Sequence, residues 1–71
     1  MKFGDKAHTV LRIAAMEIGA DRCKAYEEAC RRFSQKAVDT MFKSLESRGY
    51  IESGVSARTG WLTAKGKAAL E

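Results

Sequence analysis

Between Ser34 and Gly49 the chain spells out one helix with its start, its two faces and its stop, and the rest of the fold has to be built around it. Serine is a favoured residue at a helix N-cap, and glycine is favoured just past a helix C-terminus, where the backbone turns left-handed. Within these limits Ala37, Val38, Met41, Phe42 and Leu45 recur at helical spacing and form one apolar stripe. The opposite face carries Gln35, Lys36, Asp39, Thr40, Lys43 and Ser47. Beyond the glycine the pattern changes, and Tyr50-Ile51-Glu52-Ser53 reads as a short strand. Such a helix needs neighbours over its stripe and leaves a polar, partly cationic flank for something else.

The neighbours are written on either side. Asp5 is placed to cap a first helix running to about Ile18, with Ala7, Val10, Leu11, Ala14, Ala15 and Ile18 as its stripe and Gly19 as its left-handed terminator. Asp21 is placed to cap a second, to about Arg32, whose inward face is Cys23, Tyr26, Ala29 or Cys30, and Phe33. The gap to Ser34 is so short that the chain must turn sharply, setting the second and third helices at a large angle as in a helix-turn-helix, with Phe33 at the corner. After the strand, Gly54 to Gly60 is a polar loop, and Trp61-Leu62-Thr63 reads as the returning strand. Core packing of this hairpin against the helices is the expected role of Tyr50 and Trp61. Thr63 then caps a short helix, Ala64 to Leu70, which carries Gly66 inside it. Proline, repeats and linker-like tracts are absent. The expected architecture is one domain over residues 1–71, mainly α with a small β-hairpin: a three-helix core, a two-stranded wing and a short C-terminal helix.

Composition narrows what this domain does. At 71 residues a chain buries only about 60% of its unfolded surface, and no staple is apparent. Two cysteines and one histidine fall short of a four-ligand zinc site. Cys23 and Cys30 sit two helical turns apart, a rise of ~10.5 Å, too far for a bridge; both read as reduced, small apolar residues, and His8 as a surface residue. There is no second histidine, phosphate-binding glycine loop or serine elbow, so no catalysis, cofactor or small-molecule ligand is expected. The charged start has no apolar signal region and the longest apolar run is Ile13 to Met16, so a cytoplasmic protein away from membranes is expected.

The charge is lopsided. The chain carries +4 overall, yet residues 31–67 hold eight basic against three acidic side chains, and the remainder is slightly acidic. A cationic half suits one face meeting a polyanion. The candidates to meet it are Gln35, Lys36, Thr40 and Lys43 on the polar flank of helix 34–48, since glutamine pairs with adenine and lysine donates to guanine when a helix lies in a major groove. Arg31 and Arg32 flank the Ser34 cap, where unpaired backbone N–H groups favour a phosphate. In the free protein the same arginines are placed to pair four residues back with Glu27 and Glu28. Arg58, in the 54–60 loop, is placed to enter a minor groove. The plainer alternative for all of them is a solvated surface.

The motifs agree with this. Ser34-x-x-Ala37-Val38-x-x-x-Phe42-x-x-Leu45-x-x-x-Gly49-Tyr50-Ile51 resembles the recognition helix and first strand of the winged helix-turn-helix family, MarR-type regulators in particular. Leu62-Thr63-x-x-Gly66-x-x-x-Leu70 resembles the segment after the wing in the same group. The resemblance covers residues 33–71, without the flanking helices of MarR-type proteins, and in that respect is closer to small phage or mobile-element regulators. It implies a sequence-specific, double-stranded DNA-binding domain, a small transcriptional regulator with its third helix in the major groove and its wing on the backbone or minor groove. A homodimer or a protein partner on DNA is expected with it. Two other roles fit the same fold: a protein–protein interaction module, and an architectural factor that bends DNA in recombination.

Overall fold

A computed structural model describes residues 4–54 and 59–70. In chain order these form α1 (Asp5–Ala14), α2 (Ala20–Phe33), α3 (Gln35–Ser47), β1 (Ile51–Glu52), β2 (Trp61–Leu62) and α4 (Ala64–Leu70). The strands pair antiparallel, Ile51 opposite Leu62 and Glu52 opposite Trp61. The described residues are therefore mainly helical with a small two-stranded sheet. The first three helices pack on one another, α1 also touches β2 and α4, and α3 leads into the hairpin.

The core follows from the stripes. Val10, Leu11, Ile13 and Ala14 of α1 meet Val38, Phe42 and Leu45 of α3, with Ala29 of α2, Ile51 of β1 and Leu62 of β2 closing the cluster. Val10, Leu11, Val38, Phe42 and Leu45 have no exposed surface. From α2 the further packing comes from Ala25, Tyr26, Cys30 and Phe33, all half-buried against the same cluster. Cys23, expected inward, is exposed.

Both ends of α3 form as their residue types dictate. Ser34 Oγ accepts from the Ala37 N–H at 3.2 Å. Ser34 is also the only non-helical residue between α2 and α3, and it takes a positive φ of 90°. The sharp turn is made without glycine because one serine both reverses the chain and caps the next helix. At the far end Gly49 has φ 87°. Its N–H donates to Glu46 O at 3.1 Å, and the Tyr50 N–H reaches back to Leu45 O at 2.9 Å, the paired bonds of a Schellman stop.

The hairpin is fastened to this stop. The Thr63 N–H donates to Tyr50 O at 3.1 Å, its hydroxyl donates to Gly49 O at 2.7 Å, and the same oxygen caps α4 by accepting from the Gly66 N–H. Ser53 donates its hydroxyl to the Glu46 carboxylate, tying the end of β1 to α3.

Four expectations are corrected. First, α1 ends at Ala14, short of Ile18. Its last turn tightens, with Ala15 N–H to Arg12 O at 3.2 Å and Met16 N–H to Ile13 O at 3.0 Å, and Ile18 stands 66% exposed in the connection. Beyond that turn Arg22 ties down the connection, donating to Met16 O at 2.9 Å and to Gly60 O at 2.7 Å. Second, Gly19 is extended (φ 166°) and serves as the N-cap of α2 instead of a left-handed terminator of α1. Third, Asp5 and Asp21 lie inside the first turns of α1 and α2, behind Gly4 and Gly19; they act on the helix dipole, not as caps. Fourth, Trp61 is 50% exposed. In a two-residue strand the side chains alternate, and Leu62 holds the inward place.

Candidate nucleic-acid interface

Burial of the α3 stripe turns the other side of that helix to solvent. Gln35, Lys36, Thr40 and Lys43 are all exposed, and together with Asp39 they border one shallow depression of about 420 Å³. Asp39 is the group that would oppose a polyanion here, and its Oδ1 accepts from the Tyr26 hydroxyl of α2 at 2.6 Å. The bond also stitches α2 to α3, across a helix pair whose rings Tyr26 and Phe42 lie 6.4 Å apart.

Arg31 and Arg32 end α2 and are exposed beside Ser34. Arg32 pairs with Asp5 of α1 at 2.8 Å, the two side chains 54% and 80% exposed, and its guanidinium lies 4.7 Å from the Phe33 ring centre. The expected partner, Glu28, is replaced by a residue 27 positions away. Arg58 and the tip of the 54–60 loop lie outside the described residues.

Three cations missed in the sequence join this picture. Lys6 of α1 borders a depression shared with Ser34, Lys36 and Thr40; only the packing of α1 across α3 puts it there. Arg48 and Lys65 lie over the Tyr50 ring, at 5.6 and 4.6 Å from its centre, and Lys65 Nζ donates to Arg48 O at 3.1 Å. Their spacing along the chain carried no signal, because the Schellman stop and the Thr63 cap bring them together.

Arg22 is the one charged side chain buried among the described residues. Burial pushes its guanidinium below its ordinary value, and the neighbouring Cys23 opposes that shift. Its two carbonyl partners make it a clamp between the α1–α2 connection and the base of the hairpin. Among the described residues no group of three His, Cys, Asp or Glu side chains is arranged to hold a metal ion, and no helix is long and apolar enough to cross a membrane. Comparison with known proteins finds no significant match among family models, curated proteins or solved structures.

Proposed function

We propose that this chain is a winged helix-turn-helix domain that binds double-stranded DNA sequence-specifically and acts as a small transcriptional regulator. The observation that carries the reading is the division of α3: every large apolar side chain of its stripe turns inward, while Gln35, Lys36, Thr40 and Lys43 share one exposed depression. On this reading α3 lies in the major groove, with Gln35 and Lys36 in its first turn directed at base edges and Lys43 further along. Each good base pairing discriminates by ~1–3 kcal/mol.

Arg31 and Arg32 hold the register on phosphates beside the α3 N-terminus. Arg32 must leave Asp5 to do so, and an ion pair this exposed is worth no more than ~1 kcal/mol, so the exchange is cheap. Asp39 borders the same depression, and the hydroxyl that Tyr26 donates to its carboxylate offsets part of its opposition to phosphate. With about four phosphates neutralised, log affinity falls with log salt at a slope of roughly −4.

The test is selection of bound duplexes from a randomised pool, followed by titration of the selected site and of a scrambled copy at several salt concentrations. The reading requires tighter binding to the selected site by at least about 1,000-fold, the lower end for specific binders. Equal affinity for both sequences refutes it, since a basic protein binds any duplex weakly.

A further inference from the structure

Two depressions flank the exposed ridge of α3, and they differ in charge. The one bordered by Gln35, Lys36, Thr40 and Lys43 also includes the Asp39 carboxylate. The other is an open trough of about 410 Å³ where α1 crosses α3, with Lys6, Ser34, Lys36, Thr40 and Ser44 as its polar lining. No carboxylate lines this trough. Its α3 wall is the row Lys36, Thr40 and Ser44, at i, i+4 and i+8 on one side of the helix. Lys6 is supplied by α1.

The polar lining is rich in donors: two ammonium groups and the hydroxyls of Thr40 and Ser44. Lys6 is half-buried, and among the described residues no ion pair holds it or Lys36. Asp5, its neighbour in sequence, lines neither depression. A concave site lined by one sign of charge concentrates counter-ions of the other sign. From Ser34 to Ser44 the trough follows α3 for ten residues, ~15 Å of helix rise. That is longer than one phosphate group and suits a run of sugar–phosphate backbone. Lysine, serine and threonine side chains are among the groups that make most of the hydrogen bonds to a duplex through its phosphates.

We infer that this trough seats the backbone of one DNA strand, with the Lys6 ammonium and the Ser44 hydroxyl donating to phosphate oxygens. The inference rests on the DNA reading for its occupant and adds an orientation to it: α3 enters the groove with its α1 side against a strand. It also gives α1 a part in binding beyond packing the core. Contacts to phosphate fix register and strength and carry no base preference, so Lys6 acts on every duplex alike.

The test is Lys6→Gln, with Lys6→Arg as the variant that keeps the charge and circular dichroism to check that both fold. At about 0.1 M salt Lys6→Gln should bind the selected duplex and its scrambled copy about 5- to 10-fold more weakly, leaving their ratio unchanged, and its salt slope should be shallower by about one. Lys6→Arg should keep the wild-type slope. Ser44→Ala removes a donor without a charge, so it should lose about two- to fivefold at an unchanged slope. Replacing single backbone phosphates by uncharged methylphosphonates locates the contact. Wild type should weaken at each phosphate it touches, and Lys6→Gln should be indifferent at one of them. A Lys6→Gln protein that binds the selected duplex with wild-type affinity and slope overturns the trough and leaves the DNA reading standing. So does one as sensitive as wild type to every methylphosphonate. A wild-type protein that prefers no duplex refutes the DNA reading itself and removes the occupant with it, whatever Lys6→Gln does.

Discussion

Gly66→Ala puts the packing of α4 on the hairpin to a sharp test, because two effects of opposite sign meet at one atom. Alanine is better than glycine inside a helix by ~0.8–1.0 kcal/mol, so propensity alone makes the variant more stable. The structure gives the reverse. A Cβ at Gly66 would lie 2.2 Å from Tyr50 O, 3.0 Å from Leu62 Cδ2 and 3.2 Å from Tyr50 C. An ordinary carbon–oxygen contact is ~3.3 Å or more, so α4 or the hairpin must move by about 1 Å. The obstacle is backbone, and it is pinned: Tyr50 O already accepts from the Thr63 N–H, and Thr63 caps α4. Overpacking of this kind costs ~1–3 kcal/mol, and a strained cap and hairpin bond add about 1 kcal/mol each. After subtracting the propensity gain, the variant should lose ~2–4 kcal/mol, a large share of a small domain's stability. That is a fall in Tm of about 8–30 °C at this chain length, measured by thermal and urea unfolding. Ala68→Gly, at an exposed α4 position, isolates propensity and should lose at most about 1 kcal/mol. A Gly66→Ala protein as stable as wild type, or more so, refutes the close approach.

Two further expectations concern the turn and the clamp. Ser34→Ala removes the α3 cap and keeps a side chain at positive φ, so it should cost ~1–2 kcal/mol in urea unfolding, whereas Ser34→Gly relieves the backbone and should cost clearly less. Arg22→Met leaves the carbonyls of Met16 and Gly60 without their charged donor and should cost ~2–4 kcal/mol; hydrogen exchange should quicken first at the α1–α2 connection and around Gly60.

How much of this was legible follows from how local each cause is. Ser34, Gly49 and Thr63 act on backbone groups within a few residues, so α3, its stop and the start of α4 could be read directly. The α3 stripe and its polar flank needed only helical periodicity. The misreadings share distant causes. The connection after α1 is held by Arg22, whose second partner is 38 residues further along, and with α1 ended at Ala14 the side chain of Ile18 stands exposed. Trp61 was expected inside because it is large and aromatic, but a two-residue strand has one inward place and Leu62 fills it. The partner of Asp39 is Tyr26, 13 residues earlier on another helix, which no local spacing reveals. Lys6 could not be grouped with Lys36 and Thr40 by spacing, since only the packing of α1 across α3 brings it beside them, and Arg48 and Lys65 meet at Tyr50 only once the hairpin is folded. Gly66 read as a tolerated helix glycine, and its true reason, a backbone carbonyl beneath it, belongs to tertiary structure.

The central claim is that the exposed flank of α3 reads DNA, and the Lys36→Ala, Lys43→Ala double variant tests it most directly. Both lysines are exposed, so the unfolding curve should match wild type. On the selected duplex the variant should lose at least about 30-fold in affinity, two contacts of ~1–3 kcal/mol each, and its salt slope should become shallower by about two. A normally folded double variant that binds the selected site with wild-type affinity and an unchanged salt slope would contradict the account.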